Sequence, residues 1–356
     1  MSIKDLSSYG KYVGRTKETI SDRGVAESRI KLVPANTLIM SFKLSLGKTA
    51  ITVEPTYTNE AIMAFLDKKT YPIDLCYMYH QFSAKDWGAG TNTAVMGKTL
   101  NKKTLGATNI CVPSIEVQRG VARRLDFIYS QIELTNQQLA ELDSLVKSRF
   151  VEMFGDQKTN SLGLPTSKLG DVAFVGSSKR VFKDELVESG VPFYRGTEVG
   201  ALAFGESITP ELFITRSHYQ ELVDHAGKPE IGDLLMPSIC PDGQIWLVDT
   251  EDPFYFKDGR VLWVKPDRSI FNSTFLQYAM RDRFISDFES FASGTTFAEL
   301  KIFVLKNLVI TVPRMEMQNE FAAFVQQADK LRVVAEKEKQ TLQTLYDSLA
   351  QEYFAI

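Results

Sequence analysis

Two stretches of the chain repeat apolar residues at steps of three and four, and the rest does not. Leu125, Ile128, Ile132, Leu139, Leu142, Leu145 or Val146, and Phe150 follow this rhythm, with Thr135 filling one step. Polar residues such as Gln131, Gln137, Gln138 and Lys147 occupy the other faces. The pattern predicts an amphipathic helix with a coiled-coil-like seam over residues 115–154, stopped by Gly155-Asp156. A helix of that length spans roughly 60 Å. A second long helix is predicted from about Glu316 to Tyr353, with Phe321, Phe324, Ala328, Leu331, Val334, Leu342, Leu345, Leu349 and Tyr353 on its apolar side. Before each helix the period shortens to that of strands and turns. Thr37 to Met40 and Thr49 to Val53 are strand-like and linked by Leu44 to Gly47. Ser21 to Gly24 reads as a turn, and Tyr71 to Phe82 as a helix with an aromatic face. In the second half, Leu169 to Val175, Val191 to Tyr194, Asp233 to Met236, Ile245 to Val248 and Val261 to Val264 read as strands.

The two halves are copies. Set against each other at a constant offset, Leu100/Leu300, Leu105/Leu305, Ile110/Ile310, Val112/Val312, Pro113/Pro313, Glu116/Glu316, Gln118/Gln318 and Ala122/Ala322 coincide. Leu142/Leu342, Leu145/Leu345, Ser148/Ser348, Glu152/Glu352 and Phe154/Phe354 follow. That is roughly 13 identities over about 55 positions, where chance gives about three, at a period too long for a solenoid. The globular parts match more weakly: Leu38-Ile39-Met40 parallels Leu234-Leu235-Met236, and Gly90-Thr91 parallels Gly294-Thr295. The order is therefore globular, helix, globular, helix, an α+β class with two mixed α/β domains separated by two long antiparallel coiled-coil-like helices. The second copy carries an opening segment, Leu169 to Tyr194, for which the first has no counterpart.

Composition narrows the chemistry. A hydrophobic content of 44% with 24% charged residues is that of an ordinary soluble protein, and a net charge of −3 rules out a blanket polycation. Any nucleic-acid surface must then be local. The 3 cysteines, Cys76, Cys111 and Cys240, lack CxxC spacing and read as buried thiols of a reducing compartment. No secretory signal opens the sequence and no apolar run is long enough for a bilayer, so the cytosol is expected and no membrane partner. Gly47-Lys48-Thr49 and Gly97-Lys98-Thr99 lack the upstream glycine of a phosphate-binding loop, since Phe42 and Asn92 stand there. His80, His218 and His225 have no metal-like spacing and read as structural or surface residues. Glu251-Asp252-Pro253-Phe254-Tyr255 lacks the second proline of an adenine methyltransferase tetrad. No cofactor, metal or catalytic residue is expected.

Basic tracts offer the remaining chemistry. Ser177 to Lys183 is a small basic loop carrying Lys179, Arg180 and Lys183, and Phe193-Tyr194-Arg195-Gly196 follows. The first module places Arg15, Lys17, Arg23, Arg29, Lys43 and Lys48 in turns. Such side chains neutralise phosphates, and arginine reads guanine edges.

Three tracts together resemble the specificity (S) subunit of type I restriction–modification systems. They are Ser144 to Asp156, Lys168-Leu169-Gly170-Asp171-Val172 leading to Gly190 to Arg195, and Gly294-Thr295-Thr296 leading through Leu305 to Leu308 into Ile310 to Gln318. The resemblance covers nearly the whole chain. It implies a first target-recognition domain at 1–114, incomplete at its N-terminus, a spacer helix at 115–156, a second recognition domain at 157–315 and a second spacer helix at 316–356. It implies that each recognition domain reads half of a bipartite site in double-stranded DNA, and that the spacer sets the gap. It further implies a non-catalytic subunit that recruits two methyltransferase subunits, which use S-adenosylmethionine on adenine N6, and motor–nuclease subunits. The DNA-facing set expected on this basis is Lys179, Arg180, Lys183, Tyr194, Arg195 and Ser238 in the second domain, with Arg15, Lys17, Lys43 and Lys48 in the first. The packing set is Leu125, Ile128, Ile132, Leu139, Leu142 and Leu145 on one helix and Leu331, Leu342, Leu345 and Leu349 on the other. Two other readings stay open: a truncated, DNA-binding-deficient coiled-coil fragment of such a subunit, and a methyltransferase or nuclease in its own right.

Overall fold

The computed structural model describes residues 1–28, 30–88, 93–94, 97–98, 100, 102–291 and 299–354. Arg29, Gly90-Thr91, Thr99 and Gly294 to Thr296 lie outside the described residues. In chain order the first half runs α1 (Ile3–Ser8), β1 (Tyr12–Val13), α2 (Asp22–Ser28), β2 (Leu38–Ser41), β3 (Thr49–Thr52), β4 (Ile62–Phe65), α3 (Leu75–Ala84), β5 (Thr93–Ala94), β6 (Gly97–Lys98), α4 (Lys102–Gly106) and the long α5 (Ile115–Phe154). The second half runs β7 (Thr166–Lys168), α6 (Leu169–Val172), β8 (Ala173–Gly176), a 3-10 turn (Lys183–Glu185), β9 (Leu186–Val187), β10 (Val191–Tyr194), α7 (Gly196–Ala203), β11 (Phe213–Ile214) and α8 (Arg216–Ala226). It continues through β12 (Leu234–Pro237), β13 (Trp246–Leu247), β14 (Tyr255–Phe256), β15 (Val261–Pro266), α9 (Ser273–Phe291), α10 (Ile302–Lys306), β16 (Val309–Thr311) and the long α11 (Met315–Phe354).

The chain forms two compact units, Met1–Ala140 with Val333–Ile356, and Glu141–Arg332. Each unit therefore contains its own globular module, the start of the helix that follows it and the end of the other copy's helix. In unit 1 the sheet order is β1-β3-β2-β4, with Leu38 opposite Ile51 and Phe65. In unit 2 the order β13-β12-β15-β8 repeats that scaffold, with Leu234 opposite Leu247 and Val264. The weak Leu-Ile-Met match between the halves is thus a shared central strand. Unit 2 adds a second sheet, β14-β10-β11-β9, and a β16-β7 pair.

The helix opening shared by the two halves has a definite job. Gln118 is fully buried; its Oε1 accepts the Asp74 N–H at 2.9 Å, and its Nε2 donates to the carbonyls of Pro72 and Pro113 at 3.0 and 2.8 Å. Gln318 repeats the pattern with the Asn272 N–H and the carbonyls of Ile270 and Pro313, at 2.9, 2.9 and 2.8 Å. Only a carboxamide offers one acceptor and two donors in that fork. Each glutamine thus ties the long helix to the start of the short one, α3 or α9, that lies on the sheet.

Segments of α5 and α11 pack antiparallel within each unit. In unit 1, Arg124 reaches the Tyr353 hydroxyl at 3.1 Å, and Tyr129 lies 6.4 Å from Tyr346, ring to ring. In unit 2, Arg149 pairs with Glu320 and Arg332 with Asp143, both at 2.7 Å. Leu125, Ile128 and Ile132 are buried; Leu139, Leu142, Leu342 and Leu349 are half-buried. Leu145, Leu331 and Leu345 are exposed, and so is Val334, contrary to expectation. The reason is register. The seam keeps a strict three-four step through Thr135, Leu139, Leu142, Val146 and Phe150, and through Ala328, Arg332, Ala335, Lys339, Leu342 and Tyr346. The three leucines stand one residue off it, about 100° round the helix. Thr135 is buried and bonds its hydroxyl back to the Gln131 carbonyl at 2.9 Å.

Other local expectations shift. Ser21 to Gly24 opens a helix rather than a turn, and Leu169 to Val172 is helical before the strand begins. Cys240 is buried, its thiol pushed up to about 12 by burial, but Cys76 is half-buried and Cys111 exposed. His80 is a core residue. Its Nε2 bonds Asp126 and its Nδ1 bonds the Tyr346 hydroxyl, both at 2.7 Å. Burial lowers its basicity against the pull of Asp126, which Lys11 already neutralises.

Replacing Gln318 by Leu should leave the Asn272 N–H and two carbonyls without partners and cost about 3 kcal/mol. Urea unfolding of unit 2 should register it. A loss below about 0.5 kcal/mol would show that the clamp is dispensable.

Candidate nucleic-acid interface

Unit 2 contains an open cleft of about 740 Å³ between the first turns of α7 and the end of β12, closed on one side by the turn between β14 and β15. Arg195, Thr197, Ser238, Gln244, Lys257 and Arg260 supply polar groups to its wall. The turn Lys257–Arg260 needs Gly259 in the left-handed region, at φ 64°, to bring the chain back into β15.

The basic loop after β8 is fastened to that turn. The Ser177 hydroxyl donates to the Val261 carbonyl at 2.6 Å and accepts the Gly259 N–H at 2.9 Å. Ser178 donates to the Phe256 carbonyl at 2.5 Å, and the Lys179 N–H donates to the Tyr255 hydroxyl at 2.9 Å. Arg180 pairs with Asp258 at 3.0 Å. These bonds fix the loop backbone and leave the Lys179 and Lys183 side chains in solvent. The serines, small and unremarkable in sequence, are what make the loop a defined surface.

Tyr194 and Arg195 sit differently from expectation. Tyr194 is half-buried and stacks on Phe254 at 5.1 Å and 18°, as part of the apolar cluster beneath α7. The Arg195 guanidinium, expected to reach a base edge, is engaged by Glu198 and, at 2.9 Å, by Glu211. Burial opposes ionisation of Glu198. Hydrogen bonds from the Arg195 side chain and backbone and from Thr197 overcome it and hold the carboxyl down at about 2. Arg195 therefore caps and positions α7. Ser238 is buried, and its hydroxyl donates to Glu299 at 3.0 Å, which also holds Arg260 at 3.1 Å.

Lys257, Arg260, Gln244 and Thr197 were not singled out in the sequence. The signal for the first two was the tract Lys257-Asp258-Gly259-Arg260, a basic turn between strand-like runs. In unit 1 the hairpin loop between β2 and β3 occupies the place of the cleft's Gln244 edge. There the Lys48 Nζ donates to the Ser7 hydroxyl of α1 at 2.6 Å, and Lys43 lies 5.6 Å from the Phe42 ring centre. Arg15 and Lys17 follow β1, both exposed, and the Arg15 carbonyl accepts the Tyr9 hydroxyl. Among the described residues no group of His, Cys, Asp and Glu is placed to hold a metal ion, and no helix is long and apolar enough to cross a membrane.

Comparison with known proteins adds a family to this geometry. A family model described as type I restriction modification DNA specificity domain matches residues 2–144 and 163–344. A type I restriction enzyme specificity subunit of Methanocaldococcus jannaschii, MjaIX, is 23% identical over 371 aligned residues, covering 97% of this chain and 83% of that protein. The putative specificity subunit S.HindORF215P of Haemophilus influenzae is 26% identical over 237 residues, covering 65% of this chain and 58% of that one. The crystal structure of a type I restriction–modification S subunit from M. genitalium shares the fold with a TM-score of 0.54 at 14% identity, over 97% of this chain and 88% of that one.

The Glu198 ion pair sets a pH window. A carboxyl held at about 2 in the fold against an ordinary 4.5 stabilises the fold fully above about pH 4.5, and loses that contribution as the pH falls toward 2. Thermal unfolding of Glu198→Gln should fall below the parent at neutral pH and converge with it near pH 2. A constant difference across that range would contradict the assignment.

Proposed function

The chain belongs to the family of type I restriction–modification DNA specificity domains, non-catalytic components that confer DNA sequence specificity, and we propose how it does so. Each module reads half of a bipartite duplex site, and the two long helices set the unread gap between halves. Unit 2 carries most of the base-specific contact. Lys257 and Arg260 stand on the wall of its cleft, and the Ser177 and Arg180 bonds fasten the exposed Lys179 loop to their turn. That coupling is the observation that carries the reading. These lysines suit phosphates, whereas Gln244 and Thr197 inside the wall suit base edges. In unit 1, Lys43, Lys48, Arg15 and Lys17 form the corresponding but weaker set around α1.

The helices also recruit partners. Leu134 and Leu145 on α5 and their repeat equivalents Val334 and Leu345 on α11 are exposed. Duplicated apolar positions suit two identical methyltransferase subunits, each docking once. Motor–nuclease subunits join that assembly, which works in the cytosol. Adenine methylation and cleavage belong to the partners.

Substituting Lys179 and Lys183 together by Ala should weaken binding to every duplex and reduce the salt slope by about 2. An unchanged affinity and slope would reduce the loop to an ordinary solvated turn. Matched one-heptad insertions, near Thr135 in one helix and near Lys339 in the other, should widen the recognised gap by about 10 Å, or about three base pairs, without changing the bases read. An altered base preference at constant gap would refute the spacer role.

A further inference from the structure

The polar groups on the wall of the unit 2 cleft are not equally free. Glu198 holds Arg195 and accepts the Thr197 hydroxyl at 2.9 Å, while Glu299 holds both Ser238 and Arg260. Lys257 and Glu206 carry full charges. Gln244 is the neutral polar side chain left over: it is half-buried, and its carboxamide has no hydrogen-bond partner among the described residues. The backbone beneath it is clamped from both sides. Gly243 has φ 67°, and a Cβ there would meet the Arg281 Cγ at 2.6 Å, so only glycine lets the turn lie on α9. The Gly243 N–H closes the turn on the Cys240 carbonyl at 3.0 Å. On the other side Ile245 is buried, and its carbonyl accepts the Gln277 Nε2 of α9 at 2.8 Å. The carboxamide itself lies on the small face of α7, where a Cβ on Gly200 would stand 3.2 Å from Gln244 Oε1. A free amide on a fixed backbone is preorganised for a ligand.

The same position recurs in unit 1 with a different side chain. Leu38 faces Ile51 across β2 and β3 as Leu234 faces Leu247 across β12 and β13, and the two hairpins are of equal length. Gly47, at φ 82°, is thus the counterpart of Gly243, and Lys48 that of Gln244. Lys48 is exposed and leans on α1 through the Ser7 hydroxyl, as Gln244 lies on α7. The frame recurs and the side chain does not, so this position can differ without disturbing the frame.

We propose that Gln244 is a specificity-determining residue of unit 2 and reads an adenine in the major groove, its Nε2 donating to N7 and its Oε1 accepting from the N6 amino group. The contact rests on the reading of the cleft as a DNA surface and names the base it takes. The major groove admits a two-stranded ribbon such as the β12–β13 hairpin, and there adenine offers an acceptor beside a donor, the pair that a carboxamide matches. Guanine offers two acceptors, and Oε1 would be left facing one of them. A lysine, with donors alone, has the opposite preference.

The test is binding selection from random duplexes, using the full chain assembled with its methyltransferase subunits. At one position the parent should select an A·T pair by about tenfold or more over the other pairs. Gln244→Ala should lose that preference. Gln244→Lys, which places there the residue the frame already carries in unit 1, should move it to G·C. All other selected positions should stay as they are. Replacing that adenine by 7-deazaadenine, which removes the N7 acceptor, should weaken the parent by about fivefold and Gln244→Ala not at all. Selection of the parent's bases by both variants, equal weakening on every sequence, or indifference of the parent to 7-deazaadenine overturns the contact and leaves the cleft as the DNA surface. A parent that selects no sequence overturns the reading on which the contact rests, and the contact with it.

Discussion

A single buried carboxamide at the head of each long helix fixes the geometry on which the rest of each unit depends. Gln118 and Gln318 each join three backbone groups that would otherwise be unpaired: the carbonyl of the proline stop before the long helix, a carbonyl of the chain entering the short helix, and the N–H of the residue just before that helix. An amide in this position has no tolerance for rotation, because both donors and the acceptor are spent. The short helix is thereby set at one angle to the long one. Its aromatic residues then meet the far end of the antiparallel helix, Tyr77 against Phe354 at 5.2 Å in one unit and Phe275 against Phe154 at 4.6 Å in the other.

The shared frame leaves room for different cores. Where unit 2 has Tyr278 edge-on to Phe321 at 5.2 Å, unit 1 has His80 bonded to Asp126 and Tyr346. The aromatic solution relies on area and ring geometry, the polar one on a fully satisfied hydrogen-bond chain, and both occupy the same slot between sheet-covering helix and rod. The loop surfaces diverge further. The basic loop and turn of unit 2 are cross-braced by serine hydroxyls, whereas in unit 1 a lysine leans directly on α1. A duplicated scaffold that holds its helices rigidly can vary its loops in this way, because no loop residue is needed to hold the frame.

Much of this frame was legible in the sequence. The three-four rhythm and the offset repeat located both long helices to within a residue or so, because a helix seam leaves a periodic trace that tertiary context seldom overrides. The seam's register was less legible: a leucine at 145, 331 or 345 looks like a better core residue than Arg332 or Lys339, yet position on the helix decides and side-chain type does not. The nineteen residues of α9 carried little amphipathic contrast, since one flank packs on the sheet and another on the rod; only the repeat alignment with α3 would have revealed them. The surface proposed to face DNA is harder to read. The basic residues stand out as residues, but which are free depends on carboxylates brought from elsewhere: Glu198 and Glu211 to Arg195, Glu299 to Arg260 and Ser238.

On the proposed function, the cleft of unit 2 and the basic loop fastened beside it form the DNA-reading surface. The most direct measurement is amide hydrogen exchange of the full chain with and without a duplex recovered by binding selection. Exchange should slow at 177–183, 196–201 and 257–260 on adding the selected duplex, and change little with an unrelated duplex at the same salt. Protection confined to other segments, with these three exchanging as in the free chain, would contradict it.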